Sequence, residues 1–341
     1  MTQEGKSTKG EYKTPIQLIL FGSPGTGKSH KVEKNIAKGL GVEAPEIIKT
    51  VFHPEYTYGD FMGKLMPLTD NSGKVTYRYY PGHFMRALAL ALKHYYGTRE
   101  AKKEVLLVID EINRGNSAAI FGTAFQLLDR DEDGWSSYAV NISDMEKAAL
   151  LKEMEAETTI KGHDEKATWK LGGVELSSIS DFLANGKIKL PPNLSIIGTM
   201  NTSDESIYYM DSAFKRRWSW EYVPVKPDVE EHLKDVIIED TEEKWVDFID
   251  KLNHFITSQH ESIRKVEDKQ IGYYFIRAKE NIILKSDIKN KLMFFLWDTV
   301  FTRGKKPLKE LLGEKELITF GDFSCQGDDF IKNIAKLTLA P

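Results

Sequence analysis

One cysteine, Cys325, in 341 residues excludes an internal disulfide and fits a reducing, cytoplasmic setting. Charge of neither sign dominates. The 47 Lys and Arg against 51 Asp and Glu leave a net charge of −4, so the chain as a whole does not advertise nucleic-acid binding. No apolar run approaches membrane-spanning length, and the start, Met1 to Lys13, is polar without a signal-peptide core. A membrane is thereby excluded as a partner, and residues 1–15 read as a polar tail or linker. Internal repeats and low-complexity tracts are also missing, which removes solenoids and arrays. What is left is a soluble enzyme of two domains, or of one large domain with a lid.

What the chain does have is a complete glycine-rich phosphate loop, Gly22-Ser23-Pro24-Gly25-Thr26-Gly27-Lys28-Ser29, followed by His30. An apolar stretch, Ile16 to Leu20, reads as a buried strand before it. After it, Val32, Ile36 and Leu40 recur at helical spacing, with Gly39 and Gly41 as the expected end. A loop between strand and helix lets backbone amides close around phosphate oxygens, helped by the positive end of the helix. Lys28 is expected to reach the β- and γ-phosphates, and the Ser29 hydroxyl to ligate magnesium. Binding of a nucleoside triphosphate follows from this motif in this setting.

Strands and helices alternate to about Tyr222, and helices then dominate. Ile47 to Phe52 reads as a strand, Leu65 to Tyr80 as a hairpin, and Phe84, Leu88, Leu92 and Tyr95 as a helix face. Val105 to Ile109 is continuously apolar, as in a strand covered on both sides of a parallel sheet. Ile120 to Leu128 reads as the next helix, Leu194 to Met200 as another buried strand, and Trp245 to Phe255 as an amphipathic helix. The expected architecture is an α/β P-loop core over 16–224, with a mainly parallel sheet and insertions at 56–82 and 133–190. A helical lid and C-terminal region follow over 225–341.

Two further motifs carry chemistry. Asp110 and Glu111 close the apolar run, where Asp110 is expected to hold magnesium and Glu111 to act as base toward the attacking water. Gly198 to Asp204 ends the later strand, and the Asn201 amide, both donor and acceptor, can hold the γ-phosphate and that water. Asp211 to Arg217 reads as a short helix with a basic cluster, where Arg216 or Arg217 can serve as an arginine finger toward a neighbouring subunit. A solvated basic patch or a nucleic-acid contact of Lys215, Arg216 and Arg217 is the plain alternative.

Together Gly22 to Ser29, His53 to Phe61, Ile109 to Asn116 and Gly198 to Asp204 resemble the AAA+ domain of the McrB family, the GTP-dependent motors of modification-dependent restriction systems. The likeness runs from about Ile16 to Tyr222 and more faintly through Ile271 to Phe275. It implies a ring, with a hexamer favoured, whose nucleotide sits between subunits. It also implies a McrC-like nuclease partner and DNA handled through the complex. It makes Asn201 the sensor, Arg216 or Arg217 the trans-acting finger, and Asn113 and Arg114 interface residues. McrB proteins usually carry an N-terminal module that reads modified DNA, and here only the polar tail precedes Ile16. GTP rests on the resemblance alone, since Asn290-Lys291-Leu292-Met293 lacks the acid of the guanine-reading motif; ATP stays open.

Alternatives from other classes are an ATP-dependent remodelling protein of MoxR or dynein-related type, and an assembly platform gated by nucleotide binding alone. A nuclease core in this chain, from Pro227-Asp228 and Glu242-Glu243-Lys244, is disfavoured because a helix pattern begins at Trp245. His53 reads as a turn residue. Tyr56, Tyr58, Phe61, Tyr77, Tyr79 and Tyr80 are expected to pack the hairpin on the core rather than to stack on bases.

Overall fold

The computed structural model describes residues 15–97, 103–159, 168–203, 208–226 and 230–338. The polar start before Pro15, Asp204, Pro227 and Asp228 lie outside the described residues. These divide into two compact units. One takes the described residues up to Leu20, those of Ser29–Met200, and Tyr208 to Glu221. The other takes Phe21–Lys28, Asn201 to Ser203, and the described residues from Tyr222 on.

The strands that position the site are β1 (Gln17–Gly22), β2 (Ile47–Val51), β3 (Gly63–Thr69), β4 (Val75–Pro81), β5 (Val105–Asp110), β6 (Leu194–Asn201) and β7 (Ser219–Tyr222). Five of them form one sheet in the order β7-β1-β6-β5-β2. β5 pairs in parallel with both neighbours, Gly198 standing opposite Ile109 and Val51 opposite Asp110. Val105 to Ile109 are all buried, as a strand covered on both faces demands. The helix His83–Gly97 turns Phe84, Leu88 and Leu92 into the same core, while Tyr95 is only half-buried. β3 and β4 form the expected antiparallel hairpin.

Residues 28–40 are helical throughout, with Val32 and Ile36 buried. Gly39 lies inside this helix, and only Gly41, with φ +66°, ends it. The expected helix over Ile120 to Leu128 is broken in two. An α-helix, Ser117–Phe121, capped by Asn116, gives way at Gly122 to the tighter 3₁₀ turn Gly122–Leu128. Gly122 makes the break with φ +49° and ψ −126°, and a Cβ there would stand 2.8 Å from the Tyr58 ring.

Residues 133–190 do more than their polar composition suggests. The helix Asp144–Glu153 starts with a capping box from Ser143 and Glu146, and Leu150, Leu151 and Met154 from its end enter the main core. Leu171, Leu176, Leu183, Ile188 and Leu190 join them. Partly buried Arg130 pins both ends of this segment: Nη1 donates to the carbonyls of Gly134, Leu190 and Pro191, and Nη2 to that of Leu194 at 2.9 Å.

The second unit has its own core, built on the helix Trp245–Ser258 through Trp245, Phe248, Ile249, Leu252 and Ile256. Its long C-terminal stretch begins at Tyr222, beside the expected boundary at 224, but it also holds the phosphate loop. Glu242 and Glu243 sit in the turn before that helix, and Glu243 pairs with Lys251 at 2.7 Å.

Arg130→Ala should leave four carbonyls without their charged donor. The first unit should lose roughly 2–4 kcal/mol, read as a lower urea midpoint of its unfolding transition.

Candidate nucleotide site

In the second unit, β1 delivers the chain into the loop. Gly25 and Gly27 have φ of +74° and +82°, the left-handed conformations that turn successive amides toward one point. Thr26 Oγ1 donates to the Ser23 carbonyl at 3.0 Å and so fixes the turn. Lys28 is buried, and its Nζ donates to the carbonyls of Gly22 at 3.1 Å and Ser23 at 2.8 Å. The ammonium is thus held across the loop, where an arriving phosphate oxygen can accept the hydrogen bonds it now gives to these carbonyls. Thr202 N donates to the Gly22 carbonyl at 3.2 Å, which ties the residue after Asn201 to the loop's first glycine.

The loop is also gripped by the segment around Gly272. Gly272 N donates to the Pro24 carbonyl at 2.9 Å, Tyr274 N to the Gly25 carbonyl at 2.8 Å, and Ser23 Oγ to the Glu267 carbonyl at 2.9 Å. A Cβ on Gly272 would lie 2.2 Å from the Gly25 oxygen, so only glycine allows this approach. The Tyr274 ring packs on Gly27, and burial with Glu230 beside it pushes the Tyr274 hydroxyl pKa well up. These residues carry the loop's shape, and the sequence alone flagged only a faint motif at Ile271 to Phe275.

In the first unit, the Ser29 hydroxyl lies 3.5 Å from Asp110 Oδ1. Thr199 Oγ1 donates to the same oxygen at 2.8 Å and accepts from Glu111 N at 3.4 Å, while the Thr199 carbonyl accepts from Ile112 N. Thr199 is therefore the clamp of the acid pair. It stood within the Gly198 to Asp204 motif but was given no role from sequence. Glu111 is half-buried with φ +54°, a left-handed conformation that costs a non-glycine residue on the order of 1 kcal/mol. A hydroxyl and a carboxylate at this spacing fit magnesium, which takes few protein oxygens and completes its shell with water and phosphate. Among the described residues no group of three or more His, Cys, Asp or Glu forms a separate metal cage.

Other expected site residues fall apart into two groups. Arg216 is exposed, as a finger must be. Arg217 is not available for that role: it donates to Asp129 Oδ2 at 2.7 and 3.0 Å and to the Ala213 carbonyl, with its guanidinium 3.9 Å from the centre of the Phe125 ring. Arg114 is exposed, whereas Asn113 is 1% exposed and its carbonyl accepts from Tyr208 N, so Asn113 does not line an outer surface. His30 is half-buried on the first turn after the loop. The His53 carbonyl accepts from Tyr56 N, as befits a turn residue.

Strand, phosphate loop and helix, with an acid pair at the tip of a buried parallel strand, define a P-loop NTPase. The family model described as an AAA domain of the dynein-related subfamily matches residues 17–218. A component of the type II restriction enzyme BsuMI, YdiS of Bacillus subtilis, is 30% identical over 325 residues, covering 84% of this chain and 80% of that protein. The EcoKMcrB subunit of a type IV methyl-directed restriction enzyme of Escherichia coli is 26% identical over 211 residues. That match covers 62% of this chain but only 35% of the McrB subunit's length. The chain belongs to the dynein-related AAA family and is a McrB-like member of it. No helix among the described residues is long and apolar enough to cross a membrane.

Gly272→Ala should drive its methyl into the Gly25 carbonyl and prise the segment from the loop. At least about tenfold weaker binding of a fluorescent nucleotide is expected, with the first unit's melting unchanged.

Proposed function

We propose that this chain hydrolyses a nucleoside triphosphate, with GTP favoured, as the ring-forming motor subunit of a McrB-like restriction complex in the cytoplasm. The observation that carries the reading is the clamped acid pair, with Asp110 beside Ser29 and Glu111 locked to Thr199. The loop amides and Lys28 hold the phosphates. Magnesium, which Ser29 and Asp110 would hold, supplies positive charge to the phosphate oxygens. Glu111 takes the proton of the attacking water as its oxygen bonds to the γ-phosphorus and the β–γ bridging bond breaks, giving a nucleoside diphosphate and phosphate. Asn201 orients that water. Arg216 of a neighbouring copy would stabilise the charge on the transferred group.

The restriction setting is supported by the two relatives, one a component of BsuMI and the other a McrB subunit. On the McrB resemblance, cutting of DNA falls to a McrC-like partner, and DNA is handled through the complex. The description of the matched family as dynein-related supports the second reading, an ATP-dependent remodelling protein.

Lys28→Ala should lose nucleotide binding. Glu111→Gln should bind and assemble but hydrolyse at least about a hundredfold more slowly. Arg216→Ala should bind normally and lose concentration-dependent turnover, while Arg217→Ala should act through stability instead. Mixing Glu111→Gln with Arg216→Ala subunits should restore part of the phosphate release; absence of any rescue removes the trans-acting role. Phosphate release with GTP and ATP side by side, at rising protein concentration, decides the base. Preference for ATP moves the function toward remodelling.

A further inference from the structure

The hairpin of β3 and β4 divides into two unlike faces. Leu65, Pro67, Tyr77 and Tyr79 share one, and Lys64, Met66, Leu68, Arg78 and Tyr80 the other, since alternate residues of paired strands point the same way. The first face is anchored: the Tyr79 ring covers Gly63, and its hydroxyl reaches Glu146 of the helix Asp144–Glu153 at 3.5 Å. The expected aromatic packing holds for Tyr56 and Phe61, which are buried. It fails for Tyr77 and Tyr80, which are 68% and 39% exposed. These five residues of the second face are all exposed, as is Thr76 opposite Leu68.

At the base of that second face lies a cavity of about 280 Å³, lined by His53, Tyr56, Lys64, Tyr80, His83 and Arg86 among others. Its one carboxylate, Asp60, is already engaged, accepting from Thr57 and paired with Lys64 at 2.7 Å, which holds its pKa down at about 2. The Tyr56 hydroxyl is joined to His83 Nδ1 at 2.9 Å, so the cavity's floor is fixed. Exposed Arg86 at the cavity and exposed Arg78 farther along the same face remain as its cations, with the Tyr80 ring at the cavity's edge. The hairpin's only acid, Asp70, is at the far turn and accepts from the amides of Ser72 and Lys74.

We infer that this face binds a single DNA strand, its phosphates on Arg86 and Arg78 and a base stacked on Tyr80. Two exposed guanidiniums and an exposed ring, with the cavity's carboxylate already paired to Lys64, match a polyanion whose bases offer flat surfaces. A protein partner would meet the same face without making use of that spacing of charge and ring. Only the choice of DNA over another nucleic acid rests on the restriction reading above; the site lies wholly in the first unit and uses none of the nucleotide machinery.

The test is fluorescence anisotropy of the full chain with a labelled single strand across a salt series. Arg78→Ala combined with Arg86→Ala should flatten the slope of log affinity against log salt by about 1.4, from two lost phosphate contacts. Tyr80→Ala should weaken binding about tenfold and leave the slope unchanged. Both variants should keep wild-type melting and wild-type phosphate release without DNA. The inference is overturned if the wild-type chain binds no single strand, or if the variants bind within twofold of it. It is also overturned if they bind DNA normally but lose self-association in sedimentation, which would give the face to a second copy. Loss of phosphate release in the wild-type chain would instead sink the proposed hydrolysis and leave the anisotropy result standing.

Discussion

The register of β6 on β5 is the constraint on which the acid pair depends. Parallel pairing sets Gly198 opposite Ile109, so the next residues of the two strands, Thr199 and Asp110, come side by side. One hydroxyl then serves two partners, donating to Asp110 and accepting from Glu111 N. Side chains alternate along a strand, so a slip by one residue would turn Thr199 away and release both acids. The apolar runs on either side, buried from Val105 to Ile109 and from Leu194 to Ile197, make such a slip costly, because it would re-pair an entirely buried ladder. Hydrophobic burial thus fixes a polar geometry that contributes little stability of its own.

The loop is held by a different route. Trp245 Nε1 donates to the Tyr273 carbonyl, and Asn253 makes two bonds of 2.8 Å with the backbone of Ile271. These buried bonds set the segment that reaches the Pro24 and Gly25 carbonyls. The shape of the phosphate loop is therefore coupled to a helix more than 200 residues later in the chain, Trp245–Ser258, and not only to the strand and helix that flank it.

Much of this was legible from local pattern. The loop, the apolar strand ending in Asp110 and Glu111, and the hairpin all follow from residue type at short spacing, and the McrB resemblance named the family that the comparisons then supported. What could not be read depends on distance in sequence. Arg217 looks like Arg216 until Asp129, far upstream, is seen to hold it. Asn113 is polar and adjoins the acid pair, yet tertiary packing buries it. The polar 133–190 segment hides its leucines among charges, so no periodic stripe announces that they enter the main core. Gly39 and Gly41 are equal as signals, and only the backbone shows which one carries the left-handed turn.

Under the proposed mechanism, the left-handed backbone at Glu111 sets stability against chemistry at a single position. A glycine or asparagine there would sit more comfortably, since such residues enter this conformation with little steric penalty. Selection for a sturdier fold and selection for turnover therefore pull this residue in opposite directions. A descendant relieved of the need to hydrolyse nucleotide would have its easiest stabilising change here, one that keeps the loop, the sheet and the capacity to bind while silencing the proposed hydrolysis.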